Sequence, residues 1–177
     1  GLAVGPVHRI EPEDLSVRET AIAEHDLEGE VARFRAALES ARRDLTALRE
    51  GIAAELGDEA ARIYEAHVLI VDDPELTREV EAGIRAQRRN AEFVFRAYMA
   101  KVAAHFERIE DEYLRERRAD IVDTARRVLR HLLGKGTRDI GTLREPAVIV
   151  AHDLGPSEVA MLPRDKVLAF VLEVGGR

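Results

Sequence analysis

Between Leu27 and Ile52 the apolar residues Leu27, Val31, Phe34, Leu38, Ala41, Leu45, Leu48 and Ile52 recur at alternating steps of four and three. That spacing puts all of them on one stripe of a single long helix, and the stripe must be buried against other helices. Asp26 stands where an N-cap belongs and Gly57, after Leu56, where a helix terminates. A free-standing coiled coil would use the same spacing. The stripe, however, lasts only about four heptads, and further helical patterns of matching length follow it.

Asp58 to Val71 carries Ile63, Ala66 and Ile70 on one face, with His67 at its margin. Asp73-Pro74 offers an N-cap and a first-turn proline, so the helix breaks there and resumes with Leu76, Val80 and Ile84. Asn90 reads as the cap of a third helix with Phe93, Ala97, Ala100, Ala104 and Ile109 as its stripe. Leu114, Ile121, Ala125, Val128 and Leu132 form the stripe of a fourth, ended by Gly134, with Arg126, Arg127, Arg130 and His131 set to favour its C-terminal dipole. Long helices with short connections imply an antiparallel four-helix bundle or two helical hairpins.

Both ends of the chain follow a different pattern. Ala3 to Ile10 reads as a strand with Pro6 at an edge or bulge, and 11–24, with Pro12 and several acids, reads as a linker. After Gly136, the apolar runs Ala147–Ala151 and Lys166–Leu172 are typical of buried strands, with a short helix between them over 156–162. The expected fold is mainly α with a partial α/β portion. Residues 1–24 and 136–177 belong to the α/β portion and share one sheet, and 25–135 are a helical insertion.

Composition narrows the function. A chain of 177 residues can bury a core without staples, and it has no cysteine to staple with. It shows no secretory segment and no bilayer-length apolar run, so a soluble cytoplasmic protein is expected. A net charge of -7, with basic and acidic residues interleaved along the helices, argues against nucleic acid as a partner. With no Trp and 5% aromatic residues, stacking platforms are not expected either. The histidines His8, His25, His67, His105, His131 and His152 lack metal-ligand spacing, and no P-loop, G-x-S-x-G or G-x-G-x-x-G is present. Asp72-Asp73 is better suited to capping than to catalysis. The acids Asp58, Glu59, Glu65, Asp72, Asp73 and Glu75 flank Val68, Leu69 and Ile70. This is either a solvated face or a patch for a basic, partly apolar partner. His67 has the same two readings, as a packing residue or as a contact.

Four stretches are more specific. Glu65-Ala66-His67-Val68-Leu69-Ile70-Val71-Asp72-Asp73-Pro74-Glu75-Leu76, the run 111–121 (DEYLRERRADI), the run 148–158 (VIVAHDLGPSE) and Gly175-Gly176-Arg177, together with the opening Gly1-Leu2-Ala3-Val4-Gly5, resemble Enzyme I of the bacterial phosphotransferase system across nearly the whole chain. The resemblance implies a phosphoenolpyruvate-protein phosphotransferase that takes phosphate onto a histidine and passes it to the carrier HPr for sugar uptake. It makes the helical insertion an HPr-docking domain and the α/β portion a truncated swivelling phosphohistidine domain. Phosphoenolpyruvate and Mg²⁺ would bind a C-terminal domain absent here, with no cofactor in this chain. The family's catalytic histidine lies in G-G-R-T-S-H, of which this sequence holds Gly175, Gly176 and Arg177 and stops three residues short. No catalytic residue is therefore expected here, and the chain should dock HPr without being phosphorylated.

By the same resemblance the docking residues are Asp58, Glu59, Glu65, His67, Leu69, Ile70, Asp73, Glu75, Tyr113 and Arg117, and Val159 falls near the active site. Where the family reads D-L-T-P-S-E-T-A, this chain has Gly155 and Val159 in place of both threonines, and Val159 offers no hydroxyl to orient an imidazole. That departure points to a specialised branch, such as the Enzyme I-like part of a multiphosphoryl transfer protein, or to a non-catalytic helical adaptor. A monomer is expected, because the family dimerises through the absent domain.

Overall fold

The stripe that starts at Leu27 folds into α1 (Leu27–Leu56), with Val31, Phe34, Leu38, Ala41, Leu45 and Ile52 buried. The computed structural model describes residues 1–111, 117–136 and 142–174. Gly57 ends α1 at φ 86° and ψ 166°, a backbone region essentially reserved for glycine. α2 (Asp58–Val71) begins at the next residue. Asp73 then accepts a hydrogen bond from the Glu75 amide at 2.8 Å, and Pro74 opens α3 (Pro74–Gln87). α4 (Ala91–Glu107) and α5 (Arg118–Leu132) complete the helical unit, Leu15–Thr137, in which α1 packs against each of the other four. Glu30 on α1 accepts from the Ala91 amide at 2.6 Å, and Arg33, one turn on, donates to the Leu132 carbonyl at 2.7 Å. One turn of α1 thus covers an orphan group at the start of α4 and another at the end of α5.

Three helix faces differ from those the spacing predicts. On α2 the buried stripe is Ala61, Tyr64, His67 and Val71, whereas Ala66 and Ile70 are half-exposed. On α4 the expected Ala97, Ala100 and Ala104 face solvent, and Val94, Phe95, Met99 and Ala103 are inside. Alanines fit either face at little cost, so the larger side chains decide the rotation of a helix that is apolar nearly all round. α5 does bury Ile121, Val128 and Leu132. It also buries Asp120, Asp123, Thr124, Arg127 and Arg130, which a hydrophobic pattern cannot register. The basic residues near its end are accordingly not a solvent-facing set: His131 Nε2 lies 2.8 Å from Asp44 Oδ2 on α1, and Arg127 Nη1 is 3.8 Å from the same oxygen. Leu114 lies outside the described residues.

Asn90 and Asp26 do not cap the helices that follow them with their side chains. Asn90 turns to the segment before α1 instead, accepting from the Thr20 amide at 2.8 Å and donating to the Arg18 carbonyl at 2.9 Å. The Ile22 amide donates to Arg88 O at 2.9 Å, and Ala21 bridges Arg89. Residues 15–24 therefore pack with the helices, and the α/β unit comprises Gly1–Asp14 with Arg138–Arg177.

That unit holds a parallel sheet in the order β1 (Val7–Ile10), β2 (Ala147–Ala151), β3 (Val167–Leu172). Val7 pairs with Val148 and Ile10 with Ala151, so the N-terminal strand and the C-terminal region share one sheet. The first strand is shorter than Ala3 to Ile10, and Pro6, which lacks an amide hydrogen, only accepts, taking Val148 N–H at 2.8 Å on the edge. A short helix, α6 (Pro156–Met161), connects β2 to β3, and Ile10, Leu143, Ile149, Ala151, Leu154 and Leu162 make the core.

Candidate functional site

The break at Asp72-Asp73 leaves the half-exposed side of α2 facing α4 and the start of α5. Between them lies an open groove of about 300 Å³ lined by Ala66, Leu69, Ile70 and Asp73, by Leu76 of α3, by Tyr98, Met99, Val102 and Phe106 of α4, and by Arg117, Asp120 and Ile121. Its floor is almost wholly apolar, and Leu69, 71% exposed, forms its lip. An apolar concavity left open beside charged groups is a candidate site for a partner. A second concavity, along α1 and α3, is of another kind. There Arg35 donates to Glu81 at 2.6 and 2.8 Å and Arg42 donates to Glu39 at 2.9 Å, so its charges neutralise one another.

The groove gathers some of the residues expected to form a docking surface and separates others. Leu69, Ile70, Asp73 and Arg117 line it. Asp58, Glu59, Glu65 and Glu75 are exposed on α2 and the first turn of α3 but do not line it. Tyr113 lies outside the described residues, as do Gly175, Gly176 and Arg177. Val159, 40% exposed, sits on α6. Its neighbour Glu158 is buried and accepts from the Gly155 amide at 2.9 Å, holding the start of that helix.

His67 is corrected. Its side chain is 0% exposed, beneath the groove, with its ring 5.6 Å from that of Tyr64. No partner can reach it as a contact. Its Nε2 faces α5, 3.4 Å from Asp123 Oδ2 and 3.8 Å from Asp120 Oδ1. Asp120 in turn accepts from Arg117 Nη1 at 3.0 Å, a tie one turn long on the outer side of α5.

Sequence reasoning missed the α4 wall, Tyr98, Met99, Val102 and Phe106. Its signal was present: the large apolar residues of α4 recur at steps of three and four, a few positions from the alanines first chosen. Burial raises the pKa of the Tyr98 phenol, and the carboxylates of Asp73, Glu75 and Glu79 raise it further. Tyr98 therefore stays a neutral hydrogen-bonding group beside the acidic first turn of α3.

Comparison with known proteins agrees with this fold. Residues 1–117 match the family described as PEP-utilising enzyme, N-terminal. Phosphoenolpyruvate-protein phosphotransferases of Bacillus sp. (strain S) and Listeria monocytogenes are 40% and 41% identical over the whole chain, which spans 30% and 31% of their lengths. A solution structure of an Enzyme I protein superposes with a TM-score of 0.86 at 34% identity, covering 99% of this chain and 71% of that one. The N-terminal domain of Enzyme 1 - Nitrogen superposes at 0.70 with 26% identity over the same shares. No described helix is long and apolar enough to cross a membrane. With its helical unit, its parallel sheet and its sequence matched together, the chain belongs to the family of PEP-utilising enzymes, as their N-terminal part.

Proposed function

We propose that this chain is the carrier-docking and phosphohistidine-domain part of a phosphoenolpyruvate-protein phosphotransferase, and that the groove between α2, α4 and α5 receives a helix of an HPr-type phosphocarrier. The observation that carries this reading is the combination of an apolar floor with acids on one flank and Arg117 at the other. Apolar burial would supply most of the affinity, and the exposed acids would orient a basic partner. Phosphoenolpyruvate and Mg²⁺ would be handled by the rest of the protein, with the acceptor histidine contributed by the residues that follow Arg177. The chain alone would dock the carrier without accepting phosphate. A soluble cytoplasmic setting fits that role.

The test is a titration of an HPr-type carrier into isotopically labelled chain. Amide shifts are expected to move around 58–76, along the α4 wall and at Arg117, and no movement at high carrier concentration would end the reading. Leu69→Asp, at an exposed position, should leave the melting temperature unchanged and weaken carrier binding about tenfold or more, roughly 1.4 kcal/mol. A non-catalytic adaptor is the second reading, favoured by the missing hydroxyls at Gly155 and Val159. Thr-Ser-His after Arg177 in the parent gene would support the phosphotransferase, and a different third residue the adaptor.

A further inference from the structure

The floor of the groove is apolar, so its few polar side chains decide which residue a partner can bring to each place along it. Where α5 begins, Arg117 and Asp120 are already paired with each other at 3.0 Å. Where α3 begins, the polar lining residues are Asp73 and Tyr98. Asp73 accepts from the Glu75 amide at 2.8 Å, and a carboxylate has room for further donors. The cation nearest in the chain, Arg78, pairs with Glu75 and lies 3.7 Å from Glu79. Tyr98 is half-buried on α4, and the carboxylates of Asp73, Glu75 and Glu79 all act on its phenol, with Arg78 alone opposing them. Among the described residues no hydrogen bond engages that phenol. A neutral phenol can accept as well as donate. In a field with three acids and one arginine, a cationic donor is attracted to it and an incoming carboxylate is repelled.

We propose that Tyr98 is a specificity-determining residue of the groove: its phenol oxygen accepts a hydrogen bond from a lysine or arginine of the docked helix, whose charge rests against Asp73. The proposal rests on the docking reading and deepens it, because it names the residue type the carrier brings to the start of α3. Lysine and arginine carry several donors and no acceptor, so one such side chain serves the phenol oxygen and the carboxylate together. An acidic residue at that place on the partner is disfavoured by like charge. An apolar one covers the phenol and leaves it with neither water nor a partner. The ring itself adds a cation–π attraction that Tyr98→Phe keeps, so that variant isolates the hydroxyl.

Calorimetry with an HPr-type carrier tests this. Tyr98→Phe should weaken binding about fivefold or more, with the melting temperature unchanged. Each lysine and arginine of the carrier's docking helix is then replaced in turn by glutamine. Against one of these carriers, and only one, the effect of Tyr98→Phe should shrink to less than about twofold, because the donor to the phenol is gone. Asp73→Asn, which keeps an oxygen for the Glu75 amide, should weaken binding of the native carrier and lose its effect against the same carrier variant. The ring carbon that bears the Tyr98 hydroxyl gives a reading on the wild type alone. Its ¹³C shift should move on binding the native carrier and stay still with that variant, which keeps the proposal testable if Tyr98→Phe does not fold. Binding unchanged by Tyr98→Phe, or an effect of equal size against every carrier, would overturn the proposal and leave docking intact. Absence of binding between wild type and native carrier would overturn the docking reading itself.

Discussion

Asn90 shows how one side chain can do a different job from the one its position advertises. It is 4% exposed, and its amide group satisfies the Thr20 N–H and the Arg18 carbonyl. Truncation would remove both part-buried hydrogen bonds, at a cost of about 1 kcal/mol. Asn90→Ala should therefore lower the urea midpoint of the helical unit and speed amide exchange at Thr20. Asn90→Asp, which keeps the acceptor but loses the donor to Arg18, should recover part of the loss. If Asn90 were only a helix cap, the effect would concentrate on the first turn of α4. There, however, the Ala91 amide is already held by Glu30.

Among the elements, the α1–α2 joint sets the direction of α2, whose Ala66, Leu69 and Ile70 line the groove. A Cβ at Gly57 would meet no neighbouring atom, so the barrier to substitution is the backbone conformation, φ 86° and ψ 166°. Gly57→Ala should cost about 1–3 kcal/mol of stability. It should also change the direction in which α2 leaves α1, seen as amide shifts at Ala66, Leu69 and Ile70. Gly83 has the opposite reason to be glycine. A Cβ there would come within 2.7 Å of Val94 Cγ1, so α3 and α4 approach closely at that point. The α1–α3 contact is polar by comparison. Arg35 donates to Glu81 and Arg85 donates to both Glu81 and Glu28, and these pairings hold the Glu81 carboxyl below the usual carboxylate range, with burial opposing them. Glu30 is also depressed: burial pushes it up, but Arg33 and the Ala91 amide outweigh burial. A carboxyl lowered in the folded state stabilises it above the unfolded value and loses that contribution as pH falls through the folded one. Stability to urea should be level from about pH 7 to 5 and fall below about 4.5, the ordinary value for these groups. The fall should be shallower in Glu81→Gln.

In the molecule as a whole, each unit has its own core. The helical core centres on Phe34, Leu45, Val80, Ile84, Phe95 and Val128, all fully buried, while among the described residues the α/β core has six buried members, Ile149 among them. Buried apolar area dominates folding energy, and one unit has much more of it. Hydrogen exchange should therefore show the slowest amides in α1, α3 and α4 and faster exchange throughout β1 and β3. Leu45→Ala, at a fully buried site, should lower helical protection by about 2–5 kcal/mol. It should leave the sheet amides unaffected, and equal loss in both units would show that they unfold as one.

Much of this was legible in advance, for physical reasons that differ from element to element. The bounds of α2, the Asp73-Pro74 restart and the stripes of α1 and α3 follow from spacing, caps and proline chemistry, which act within a few residues. That the N-terminal strand shares a sheet with the C-terminal region, although far apart in the chain, was also readable, because a lone apolar strand must find a sheet; that β2 is its neighbour came from the structure. By itself, then, the sequence determined the helices, the parallel sheet, the exposed acids of α2 and α3, and the family. Only the tertiary structure decided which way α4 faces, that residues 15–24 join the helical unit, and that His67 lies beneath the groove rather than on it. Each of these depends on how side chains from distant turns compete for the same buried volume. A histidine beside Leu69 can stand outside or inside, and here Asp120 and Asp123, more than fifty residues away in the chain, supply the polar partners that let it be buried.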